Sequence, residues 1–218
     1  MTARATILVV AKAPVAGQAK TRLSPAVSPR QAADIAAASL LDTLDAVLAT
    51  PGTHAVVAMT GQLASAQRSC ELLSVLRRTT VVPQRGADFT ARLVNAHADA
   101  AHFGLPVFQI GMDTPQVSAA LLDECVDRIG DGVLGPATDG GWWALGLRDG
   151  HQATALRTVP MSRPDTGALT LAAFARRGLD LGLITELSDV DDMATAREVA
   201  KLLPGSRFSR ALLVEAVR

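Results

Sequence analysis

Lysine is scarce in this chain: Lys12, Lys20 and Lys201 are its only three, against 18 arginines. Cysteine is scarcer still. Cys70 and Cys125 stand far apart, which excludes a disulfide framework and offers no zinc-ligand spacing. No apolar run approaches the roughly 18 residues that cross a bilayer, and the apolar segment from Ala5 to Ala11 runs into charges rather than a cleavage site. The expectation is a soluble, cytoplasmic chain without a membrane span. Excess charge is also missing, because 21 cationic side chains balance 21 acidic ones. Nothing global draws the chain to nucleic acid. Repeats, low-complexity tracts and linkers are absent, so residues 1–218 read as one domain.

What is present is an ordinary core composition, 49% apolar and 19% charged, with β-branched runs alternating with helical patterns. That alternation predicts an α/β, Rossmann-like fold with a mostly parallel sheet flanked by helices. Strands are expected over residues 6–10, 54–60, 79–82, 106–110, 132–134, 142–147 and 181–185. The one over 142–147 reads as antiparallel and at an edge of the sheet. Helices are expected over 63–76, 88–101, 118–129, 167–177 and 193–203, with a short one after Pro204-Gly205. Another opens at Ser28-Pro29-Arg30-Gln31, where Ser28 and Gln31 make a capping box around a proline at the first helical position.

Ligands collect at the carboxyl ends of strands in an open parallel sheet, and four segments fall at such ends. After the first strand comes a small-residue cationic loop holding Ala11, Lys12, Gly17, Lys20 and Arg22; the first 33 residues carry five cations and no acid. It matches neither the Walker spacing nor GxGxxG. It reads as a phosphate loop, or as a solvated basic turn. Asp113 directly follows the fourth strand and precedes Thr114-Pro115, which places a carboxylate on the rim for a hard cation or simply starts a turn. Asp139-Gly140-Gly141 precedes both tryptophans, Trp142 and Trp143. It allows either close backbone approach to a ligand or a plain hairpin turn, and at least one tryptophan is expected in the core. Finally, residues 180–196 carry five acids and no cation, including Asp189, Asp191 and Asp192. Helix capping accounts for one or two of these; the remainder repel unless a cation relieves them.

These segments, in this order, resemble the bacterial selenodomain-associated transferase family (type 1), a branch of the nucleotide-diphospho-sugar transferases with the GT-A fold. The family pattern runs KAPxxGxxKTRL, G-[ST]-D-x-P, GPAxDGGYYLxGL and DVDTxED. Its counterparts here lie at residues 12–23, 111–115, 135–147 and 189–192. The N-terminal segment is also similar to guanylyltransferases acting on phospholactate or phosphoenolpyruvate. The resemblance implies that Lys12, Lys20 and Arg22 meet nucleotide phosphates and that Asp113 and Asp191 hold Mg²⁺ or Mn²⁺. It implies further that Gln84, beside Gly86, reads the base, and that Asp139 faces the acceptor. Met112 in place of Ser or Thr, the tryptophan pair in place of Tyr-Tyr and Asp192 in place of Thr depart from the pattern, the aromatic change bearing most on the acceptor.

The function expected is a metal-dependent transfer of sugar from a nucleotide-diphospho-sugar to a small-molecule acceptor, with Lys20, Arg22 and Asp139 as catalytic groups. The alternative is nucleotidyl transfer from a nucleoside triphosphate to a phosphorylated small molecule, with pyrophosphate released. That reaction needs additional cations, which Arg85, Arg92 and Arg163 can supply. A third reading is a non-catalytic nucleotide-binding protein.

Overall fold

The computed structural model describes residues 3–23 and 26–213. The apolar run after Arg4 forms β1 (Ala5–Lys12), buried on both faces up to Ala11. A strand with this little polar surface belongs at the middle of a covered sheet. It lies third in a seven-stranded sheet of order β3-β2-β1-β4-β6-β5-β7. The partners are β2 (Thr53–Thr60), β3 (Thr80–Pro83), β4 (Val107–Ile110), β5 (Gly132–Pro136), β6 (Trp142–Leu147) and β7 (Gly182–Leu183). Only β6 runs against the others, pairing antiparallel with both β4 and β5.

Alternate residues of β1 feed two cores. Ile7, Val9 and Ala11 face the layer of α1 (Pro29–Ala49), α2 (Ser69–Leu76) and α4 (Ala119–Asp127). Leu8 and Val10 face α3 (Phe89–Ala101), a 3₁₀ segment at Gly150–Thr158 and α5 (Thr166–Ala175). The outer side of α1 is covered in turn by α6 (Met193–Leu202) and α7 (Arg207–Leu213), through Ile35, Val199 and Phe208. The capping box at α1 forms as expected: Ser28 Oγ accepts from Gln31 N at 3.2 Å, and Gln31 Oε1 accepts from Ser28 N at 3.1 Å.

Three elements differ from the sequence expectation. β6 is interior, not at an edge, because β5 turns back along it and β7 then adds outside β5. The helix expected over 63–76 is broken: a 3₁₀ turn at Leu63–Ser65 stops, Arg68 takes a left-handed conformation (φ 51°), and α2 begins at Ser69. Arg68 is held there by a bidentate pair to Asp34 at 2.8 and 2.7 Å, a tertiary contact that overrides local helix preference. The last strand shrinks to two exposed residues at the sheet edge. The 3₁₀ segment at Gly150–Thr158, capped by Asp149, has no counterpart in the sequence reading.

Candidate functional site

The carboxyl ends of β1, β3 and β4 and the start of β6 open onto a cavity of about 660 Å³. Because β6 is antiparallel, it brings its first residues to this same end. Of the residues named from sequence, Ala11, Lys12, Arg22, Gln84, Asp113, Asp139 and Asp191 line this cavity, and Gly17, Lys20 and Gly86 do not. Gly17 sits in the exposed loop at φ 75°. Gly86 serves packing instead: a Cβ there would lie 2.8 Å from the Ala91 side chain and 2.9 Å from the Arg92 nitrogen, so glycine lets the chain pass tightly over the start of α3.

At one wall, Gln84 follows β3 and its amide nitrogen donates to Ala11 O at 2.8 Å and Ala58 O at 2.9 Å. With its donors fixed on β1 and β2, Gln84 presents its carbonyl oxygen. Lys12 donates to Gln18 O at 2.9 Å, which curls the cationic loop back on itself. Arg22 is exposed and pairs with Asp191 Oδ2 at 3.0 Å.

Lys20 is the surprise. Its side chain is 9% exposed, and its ammonium lies between Asp113 Oδ1 at 3.0 Å and Asp191 Oδ1 at 3.2 Å, donating also to Val190 O. Burial works against its charge, but Asp113 and then Asp191 outweigh it and hold the ammonium above its ordinary value. All three donors are thereby engaged inside the protein. The lysine expected to meet phosphate directly is instead the counter-ion of the two carboxylates expected to hold metal.

Asp189, which sequence placed in the acidic run but gave no role, lines the cavity between these groups. Its carboxyl is pushed up to about 7, first by burial and then by the like charges of Asp113 and Asp139, with Lys20 opposing. Asp192 turns away to cap α6, accepting from Thr195 N at 2.8 Å. Among the described residues, no three His, Cys, Asp or Glu side chains are grouped to hold a metal by themselves. Asp113 and Asp191 still fit a hard divalent ion, since such ions take one or two carboxylates and complete their shell with phosphate oxygens and water.

The opposite wall is built from two interlocked loops. Asp139 Oδ1 accepts from Gly141 N at 2.8 Å, closing the turn between β5 and β6. Gly140, at φ 86°, accepts from Gly167 N at 2.8 Å, and a Cβ on it would sit 1.9 Å from Pro164 O. The hairpin turn is realised, and the close approach of the Gly140 backbone is to the loop before α5. Trp143 is buried edge-on to Phe108 and donates to Thr185 O at 2.8 Å. Trp142 faces the cavity and donates to Thr170 Oγ1 at 3.2 Å. Met161, Ser162 and Arg163 continue this wall, and Arg92 lines the α3 side. Arg85 is turned away, paired with Asp99.

Sequence reasoning also passed over Gln109, a lone amide in the buried strand β4 that reaches the cavity. Its signal was a single polar residue within an apolar run.

A family model described as "Uncharacterized protein conserved in bacteria (DUF2064)" matches residues 43–163. The chain belongs to that family. The DUF2064 match spans Gln84, Asp113, Asp139 and Arg163, while the cationic loop and the acidic segment lie on either side of it. Among proteins of curated function the chain has no match. Among solved structures, it is similar to a "putative nucleotide-diphospho-sugar transferase" from Desulfovibrio desulfuricans G20, with TM-score 0.83 and 22% identity over 99% of this chain and 96% of that one. It is also similar to Rv0371c from Mycobacterium tuberculosis H37Rv in complex with manganese (TM-score 0.55, 19% identity, covering 91% and 98%). A third match is a CMP:2-keto-3-deoxy-manno-octonic acid synthetase complexed with CTP (TM-score 0.52, 13% identity, covering 99% and 100%). These likenesses bear out the GT-A fold expected from the motifs. No helix among the described residues is long and apolar enough to cross a membrane.

Proposed function

We propose that the protein is a divalent-metal-dependent transferase that takes the sugar of a nucleotide-diphospho-sugar and passes it to a small-molecule acceptor. One observation carries this reading: cationic Lys12 and Arg22 and acidic Asp113, Asp189 and Asp191 line one end of a single cavity at the carboxyl ends of parallel strands. That is the charge layout of a metal-bound diphosphate. The fold matches, one described as a "putative nucleotide-diphospho-sugar transferase" and one a complex with manganese, support it.

In this reading Gln84 and Ala11 border the nucleoside, and Lys12 and Arg22 neutralise charge growing on the departing diphosphate, where most of the rate enhancement of such a reaction arises. Asp113 and Asp191 would hold Mg²⁺ or Mn²⁺, which when bound would supply Lewis-acid stabilisation of the leaving group's charge. Lys20 fixes the spacing of that carboxylate pair. Asp139, with Oδ1 tied to Gly141 N, offers Oδ2 as the acceptor-side base.

A second reading, nucleotidyl transfer to a phosphorylated acceptor, is favoured by Arg92 and Arg163, which line the cavity beyond the first loop, and by the fold match complexed with CTP.

Thermal shift with Mn²⁺ and a panel of nucleoside diphosphates tests the common core. Metal-dependent stabilisation by at least one is expected, and a flat response to all of them rejects both enzymatic readings. Release of nucleoside diphosphate from a nucleotide-sugar then supports sugar transfer, and pyrophosphate release from a triphosphate supports the second reading. Binding without either product identifies a non-catalytic nucleotide-binding protein.

A further inference from the structure

We propose that Gln109 is a specificity-determining residue, whose side-chain NH₂ is aimed into the cavity by buried His97 and donates to a neutral acceptor oxygen of the bound ligand. The inference rests on the nucleotide-sugar reading of the cavity.

Gln109 is 3% exposed and lines the cavity floor beside Val10 and Leu93. Its Oε1 lies 2.9 Å from His97 Nε2. His97 projects from α3 behind it and is fully buried. The direction of this hydrogen bond follows from the other ring nitrogen. His97 Nδ1 is buried without a partner among the described residues. Turning the Gln109 amide over would require a lone pair on Nε2 and therefore a proton on Nδ1. That would bury an orphan N–H, which folded proteins tolerate less than an orphan acceptor. So Nε2–H donates, Gln109 Oε1 accepts, and the Gln109 NH₂ points away from His97.

That NH₂ has no protein partner among the described residues, yet it is not sealed from solvent and so is reached through the cavity. Gln84 is fixed in the opposite sense, its nitrogen held by Ala11 and Ala58 and its oxygen without a partner among the described residues. The two amides flank Val10, one presenting an acceptor and the other a donor. The charged groups lie at the phosphate end and on the walls, while the floor next to Gln109 is apolar. A neutral oxygen, either a sugar hydroxyl or a carbonyl of the nucleobase, is the group this floor accepts. A ligand that lacks it leaves a desolvated donor unpaired.

Calorimetric titration with Mn²⁺ and matched pairs of nucleoside diphosphate and nucleotide-sugar tests this on the full chain, using Gln109→Met, which keeps the shape, His97→Phe and the double variant. Gln109→Met is expected to weaken binding about 10- to 100-fold. Weakening of the nucleotide-sugar alone assigns the oxygen to the sugar; equal weakening of both ligands assigns it to the nucleoside. His97→Phe should reproduce the loss, and the double variant should lose no more than Gln109→Met. A His97→Phe protein that melts earlier but binds normally overturns the positioning role. Normal binding by Gln109→Met, in the face of binding by the unaltered protein, overturns the inference alone. No nucleotide binding by the unaltered protein overturns the transferase reading and this inference with it.

Discussion

The ammonium of Lys20 stands 3.0 Å from Asp113 Oδ1 and 3.2 Å from Asp191 Oδ1, tying the loop after β1 to the end of β4 and to a residue 171 positions later. Removing that charge leaves Asp113, Asp189 and Asp191 facing one another without their main counter-ion. Lys20→Met should therefore destabilise the fold by about 2–3 kcal/mol, somewhat below a fully buried pair because both carboxylates are partly solvated. Mn²⁺ should restore more stability to this variant than it adds to the unaltered protein, as measured by urea midpoints with and without the ion. An equal effect of Mn²⁺ on both proteins would mean that Asp113 and Asp191 do not bind it.

His97 gives a pH signature. Its ordinary value of 6.5 is lowered to about 4 in the fold, chiefly by burial and against the hydrogen bond that its ring donates to Gln109. The unfolded chain thus takes up the proton before the folded one does. The stability contributed by the neutral ring is complete above about pH 6.5 and is lost as pH falls toward about 4. The loss amounts to roughly 3 kcal/mol. Chemical denaturation at pH 7.5 and 4.5 should show it, and His97→Phe should lose less between those two conditions.

Gly140→Ala should damage the acceptor wall. The residue sits at φ 86°, and a Cβ would fall 1.9 Å from Pro164 O, so the loops at 137–141 and 160–167 must part. A loss of at least about 2 kcal/mol is expected. Nucleoside diphosphate affinity should survive in the folded fraction, since Gln84, Lys12 and Arg22 come from other segments. Equal loss of nucleotide binding would place the nucleotide against the wrong wall.

Arg92→Ala and Arg163→Ala separate the two reactions. If the acceptor is anionic, each should raise its KM about 10-fold or more, with nucleotide affinity unchanged. Arg163 is already paired with Asp165 at 2.9 Å, so the larger effect is expected from Arg92, whose one hydrogen bond among the described residues is a long contact to Gly86 O at 3.5 Å. No change in either variant favours a neutral acceptor and sugar transfer.

Local features of the chain were legible without coordinates. The apolar run at β1, the Ser28–Gln31 box and the Asp139 turn each depend on neighbours within a few residues. The interior place of β6 was not, because alternation shows that a segment is a strand but not which strands flank it. The break at Arg68 was hidden for the same reason, its partner Asp34 lying in another helix. At the site, sequence brought the two charged poles to one end of the sheet but could not show that Lys20 pairs inward. That pairing depends on burial and on the path of the chain around Val190. Gln109 was overlooked because one amide in an apolar strand acquires meaning only once His97 is seen behind it.

The hydrogen bond from Val190 N to Asp113 O and the Lys20 clasp fasten the last acidic segment onto a sheet whose seven strands are all complete by Leu183. A chain emerging from the ribosome can thus assemble the whole sheet while its binding site still lacks Asp189 and Asp191. Ligand capture would be postponed until the segment around Asp189 and Asp191 has docked, making nucleotide affinity a report on that docking rather than on sheet formation.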